Sequence, residues 1–121
     1  MTWKTIRLEL ARTQAFPEGS PSRGYQLHLP LKGDGIIDQA AFLGAPERAI
    51  AFRFWPDERD LNGNVIRTAK GWAISYAPGD DDDQGVFHLE THPLRPGNYL
   101  TLTASDGTIW PFRVATVGPL A

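Results

Sequence analysis

The residues with the greatest chemical potential are His88, Glu90 and His92, in the run His88-Leu89-Glu90-Thr91-His92. In an extended strand alternate residues share a face, so these three would form one row, and Pro93 favours an extended His92. Imidazole and carboxylate groups are zinc ligands. The spacing limits what they can hold. Alternate strand residues stand about 6.6 Å apart, which puts the ends of the row about 13 Å apart. A zinc ion with bonds of about 2.1 Å bridges neighbours in such a row but not both ends. A bound pair would need help from elsewhere, from Asp83 or His28. The plainer reading turns Phe87 and Leu89 to the core and this row to water, so no metal and no cofactor is expected.

Other constellations are weaker. The run Asp80-Asp81-Asp82-Asp83 suggests calcium, but an EF-hand loop needs glutamate at its twelfth position. Counting from each aspartate reaches Thr91, His92, Pro93 or Leu94, so the run reads as a solvated acidic turn. Gly33-Asp34-Gly35 lacks the third glycine of a dinucleotide fingerprint. Ser75 lies in an alternating segment rather than on a nucleophile elbow. Ser20 and Ser22 have no paired base, and nothing in the sequence brings Glu90 to Asp106 or Asp83. Arg53-Phe54-Trp55 mixes a cation with aromatics, as single-strand nucleic-acid grooves do. The net charge is −2 and the arginines are scattered, which argues against a nucleic-acid partner.

The elements that must position these residues read as strands. Ile6, Leu8 and Leu10 alternate with Arg7 and Glu9, and Tyr25, Leu27 and Leu29 with Gln26 and His28. Ile50, Phe52 and Phe54 form a third such row, and Trp72, Ile74 and Tyr76 a fourth. Residues 13–24 read as a polar loop anchored only by Phe16, and the most mobile internal segment. Lys32-Gly33-Asp34-Gly35 reads as a turn. Asp38 can cap a short helix over residues 39–43, the one helical segment expected. Asn62-Gly63 reads as a two-residue hairpin turn that would set Glu58 opposite Arg67. Pro96-Gly97 fits the centre of a type II turn. For the last hairpin, a three-residue loop with Gly107 in the left-handed region sets Leu102 opposite Trp110 and Leu100 opposite Phe112, which gathers the apolar residues on one face.

These patterns predict an all-β fold: a single compact antiparallel barrel or sandwich of six to eight short strands, with one short helical turn segment near 38–44, over residues 1–121 as one domain. The 121 residues contain 12 glycines, 10 prolines and no cysteine, which excludes a disulfide scaffold and a thiolate metal site. No apolar run has the length of a signal-peptide core or a membrane span, so a cytoplasmic location without membrane contact is expected.

With no strong catalytic motif, the expected function is that of a small non-catalytic binding or accessory domain acting through a sheet face or the 13–24 loop. The alternatives are a metal-dependent or hydrolytic enzyme centred on His88, Glu90 and His92, and a small-molecule carrier with a barrel-mouth pocket. If the large side chains of the third and fourth rows point inward, Ala51 and Ala73 lie on outer faces, where small apolar residues are unusual. They would be covered by the short helix or by a partner chain, most simply an identical one. Ala51, Arg53, Trp55, Ala73 and Ser75 are then the interface candidates.

Overall fold

The computed structural model describes residues 2–68, 71–76, 84–87, 93–104 and 106–120, with Thr2 and residues 84–87 as backbone alone. Among the described residues eight strands follow one another: β1 Thr2–Leu10, β2 Ser20–Leu31, β3 Ile50–Phe54, β4 Leu61–Thr68, β5 Gly71–Ser75, β6 Gln84–Phe87, β7 Tyr99–Thr103 and β8 Ile109–Pro119. Each pairs antiparallel with the next, and β8 pairs back onto β1. The fold is all-β and closes as a barrel rather than a sandwich. No helix among the described residues is long and apolar enough to cross a membrane.

The period-two rows fill the interior. Ile6, Leu8 and Leu10 from β1, Tyr25, Leu27 and Leu29 from β2, Leu100 and Leu102 from β7, and Phe112 and Val114 from β8 are all buried. Tyr25 meets Phe112 edge-to-face at 5.2 Å between centroids. An eight-stranded barrel is just wide enough for side chains to fill it, so its lumen is a core and not a channel. Burying each such leucine contributes about 1.5–3 kcal/mol.

Local signals hold where the chain folds on itself. The Asp38 carboxylate accepts from the Ala41 N–H at 3.0 Å and starts the helix α1, Gln39–Gly44. A 3₁₀ turn follows at Pro46–Arg48. Gly97 and Gly107 adopt the positive φ that their turns require, at 94° and 89°. β7 and β8 pair Leu102 with Trp110 and Leu100 with Phe112, the register that gathers apolar residues.

Three expectations are corrected. First, β3 presents its other face. Ile50 is 40% exposed whereas Ala51 is fully buried, as is Ala49 just before the strand. Side-by-side residues share a face, and Ala51 is paired with Leu27 and Arg53 with Tyr25. Small residues beside large ones fit the limited volume of a small barrel. Second, Asn62-Gly63 lies inside β4 and is no hairpin turn. The turn falls within residues 55–60, where Asp57 takes φ 63°. A Cβ on Gly63 would overlap the Ser75 carbonyl oxygen, so this glycine serves a close backbone approach. Glu58 accordingly meets Arg53 at 3.0 Å, while Arg67 donates to the Gln39 side chain at 3.2 Å. Third, the 13–24 loop is shorter than expected because β2 begins at Ser20. The β1–β2 register jumps from Glu9–Gly24 to Leu10–Ser20, and Pro21 falls in that bulge. Phe16 packs against the edge of the core.

Two predictions follow from this packing. Ala51→Leu should lower stability in urea by about 1–3 kcal/mol through overpacking, while Ile50→Thr changes it by less than about 0.5 kcal/mol. The opposite order would show that β3 faces the other way. Asp106 accepts from the Thr108 N–H at 2.9 Å, and hydrogen bonds from Thr108, its backbone first, hold the carboxyl below its ordinary pKa. The turn is therefore stabilised above the unfolded-state pKa, and that contribution is lost as the pH falls through the lower folded value. The Thr108 amide resonance should titrate in step with the Asp106 carboxylate, and Asp106→Asn should abolish the acidic inflection.

Candidate functional site

β3 has five residues and β4 has eight. Their pairing runs from Ile50–Asn64 to Arg53–Leu61 and stops there. Beyond it the Val65 N–H donates to the Ala49 carbonyl at 2.9 Å, and the Asn64 side-chain amide reaches the same oxygen at 3.3 Å. Backbone groups alternate in direction along a strand. Arg67, two residues past Val65, therefore turns its N–H and C=O to the same open side. Among the described residues no backbone hydrogen bond links Arg67 to α1 or to the 3₁₀ turn.

A groove of about 710 Å³ overlies β4 and adjoins this gap. Its floor is β4 from Asn62 to Arg67 with Ser75 and Tyr76, and its wall is Phe42, Leu43, Pro46 and Glu47. α1 sets the wall by burying Phe42 edge-to-face against Trp72 at 4.8 Å. The next turn position, Leu43, is left 69% exposed at the rim. The volume lies in the range of ligand sites, and an apolar lining with a few polar groups is their usual character. The signals for the groove were an unpaired strand length and an exposed leucine, neither of which has a motif.

The sequence-selected residues gather elsewhere. Arg53 and Trp55 continue the inward face of β3 to the opposite end of the barrel. There Trp55 meets Trp110 edge-to-face at 5.5 Å, and the Arg53 guanidinium lies 4.3 Å from the Trp55 ring. Arg23 is 4.3 Å from the Phe16 ring and 5.8 Å from Trp55, and it donates to Ser20 Oγ at 3.0 Å. The ring faces on which a base would stack thus carry the chain's own guanidinium groups, and the cluster plugs this end. Ala51 faces the core, against the outward placement expected of it, and Ala73 is buried. Ser75 lines the groove floor. His28 lies on β2 opposite Thr5. His88, Glu90, His92 and the aspartate run lie outside the described residues. Among the described residues no three His, Cys, Asp or Glu side chains cluster.

If the Phe16–Arg23–Trp55 stack is a plug, Phe16→Ala should cost about 1–2 kcal/mol. It should also red-shift tryptophan emission while leaving the amide resonances of Leu43 and Gly63 in place. Shifts at those groove amides would tie the two ends together and reject the separation. In comparisons with known proteins, no family model, curated sequence or solved structure matches this chain at a significant level.

Proposed function

We propose that the chain is a non-catalytic binding domain that receives an extended peptide segment in the groove between β4 and α1. One observation carries this reading: Arg67 presents a backbone N–H and C=O at an open strand edge, facing a walled groove. Strand addition to such an edge takes its affinity from main-chain hydrogen bonds and its selectivity from pockets for alternate side chains. Leu43, Phe42 and Pro46 offer the apolar contacts. The filled lumen disfavours a carrier that holds its ligand inside the barrel.

The test is a ¹⁵N-NMR titration with a short acetylated peptide that alternates valine and threonine. Amide shifts confined to Leu43, Gly63 and Arg67 are expected, and Leu43→Glu should weaken binding about tenfold by charging the apolar rim. N-methylation of the central peptide residue should remove the strand hydrogen bond and the shifts with it. No shift at these amides would reject the groove as the binding site.

A further inference from the structure

The chain carries three asparagines, at 62, 64 and 98, and holds their side chains differently. The Asn64 amide donates to the Ala49 carbonyl at 3.3 Å and precedes β-branched Val65. The Asn98 amide donates to the Pro93 carbonyl at 2.9 Å and precedes Tyr99. Asn62 is exposed on the groove floor, has no side-chain hydrogen bond among the described residues, and precedes Gly63. A free amide followed by glycine is the arrangement in which the next backbone nitrogen most easily attacks the side-chain carbonyl carbon, because no Cβ crowds that nitrogen. The fold retains this pair, since a Cβ on Gly63 would overlap the Ser75 carbonyl oxygen.

The strand that requires Gly63 also restrains it. The Val65 N–H points to β3, where it bonds the Ala49 carbonyl, and the N–H two residues earlier points the same way. Gly63 stands opposite Ala51 in that ladder. A nitrogen donating to β3 keeps its proton and its place, so it is no nucleophile while the seam is closed. Four residue pairs join β3 to β4, and such short ladders open locally at a lower free energy than the whole fold. We propose that Asn62-Gly63 is a site of spontaneous deamidation, gated by opening of the β3–β4 seam. In the open seam the Gly63 nitrogen loses its proton to solvent base and bonds Asn62 Cγ. The Cγ–Nδ2 bond breaks and that nitrogen leaves as ammonia. Water then opens the five-membered imide at either carbonyl. One product is aspartate, which puts a carboxylate on the groove that Glu47 also lines. The other is isoaspartate, whose main chain runs through the side-chain carbons and lengthens β4 by one atom. An added backbone atom breaks the period-two alternation, so Leu61 and Asn64 cannot both keep their partners Arg53 and Ile50. Conversion is therefore one-way and dismantles the groove floor, whatever the groove binds.

The experiment incubates the purified chain in mildly alkaline buffer, folded and in urea. Each asparagine is followed by peptide mapping with mass spectrometry, with fragmentation that separates isoaspartate from aspartate. In urea Asn62 should convert well before Asn64 and Asn98. In the folded chain Asn62 should convert more slowly than in urea by about tenfold or more, the factor set by the opening equilibrium. Asn64→Ala removes the side-chain clamp on the Ala49 carbonyl. It should speed conversion of the folded chain about threefold and leave the rate in urea unchanged. Earlier reaction at Asn64 or Asn98 in urea, or none at Asn62, overturns the site. Equal rates folded and in urea, or no acceleration in folded Asn64→Ala, overturn the gate. Should that variant not fold, hydrogen exchange of the Gly63 amide in the parent takes its place, with urea raised below the unfolding transition. Conversion should then rise in step with exchange, and a constant conversion rate while exchange rises overturns the gate.

Discussion

The pairing of β8 with β1 is the constraint on which the rest depends. It runs from Lys4–Pro119 to Leu10–Phe112 and joins the two chain-terminal strands of the barrel. Without it the sheet would have two long edges, and the rows of Ile6, Leu8, Phe112 and Val114 would face water. The register slips between Arg7 and Leu8, where β8 advances from Thr116 to Val114 against one step of β1. Such bulges bend and twist a strand, which is how a sheet curls far enough to close. A matching irregularity between β1 and β2 turns the chain back at the same end. Gly24 stands there because any Cβ would overlap the Leu8 carbonyl oxygen.

Closure is complete around the barrel but uneven along it. The β3–β4 seam has four residue pairs, against nine between β1 and β2. Pro46 opens a 3₁₀ turn immediately before β3, so the chain cannot extend earlier to cover the far end of β4. α1 and the turn take that place with side chains instead of a ladder. The core is sealed by Phe42 and Ala49, while the strand edge at Arg67 keeps its backbone groups available. The groove is thus a consequence of unequal strand lengths. Its polar character comes from the strand and its apolar character from the helix.

Cations meet aromatic rings at both ends of the barrel. At one end Arg23 and Arg53 contact Phe16, Trp55, Ser20 and Glu58, and Arg23 Nε is buried without a partner among the described residues. At the other Arg67 lies over the Trp72 ring and donates to Gln39, and the Trp72 indole N–H is likewise buried without a partner among the described residues. Aromatic and cationic residues adjacent in sequence are conspicuous, which is why Arg53-Phe54-Trp55 stands out on reading. Arg67 and Trp72 lie on β4 and β5, and their contact leaves no local trace.

The sequence by itself determined what depends on neighbours. Alternation specified the strands, Asp38 the start of α1, and Gly97 and Gly107 their turns, because backbone conformation and short-range hydrogen bonds act over a few residues. The register of the last hairpin was legible too, since only one loop length gathers Leu100, Leu102, Trp110 and Phe112 on one face. Tertiary structure decided the rest. Whether β3 buries Ile50, Phe52 and Phe54 or the alanines is a choice of parity that both patterns allow locally. It was settled by pairing with Leu27 and Tyr25 on β2, which lies more than twenty residues away. Gly63 looks like a turn residue until Ser75 of β5 passes beside it. The groove, finally, exists only because β4 outlasts β3 and α1 lies opposite, a relation between lengths and positions that no segment carries alone.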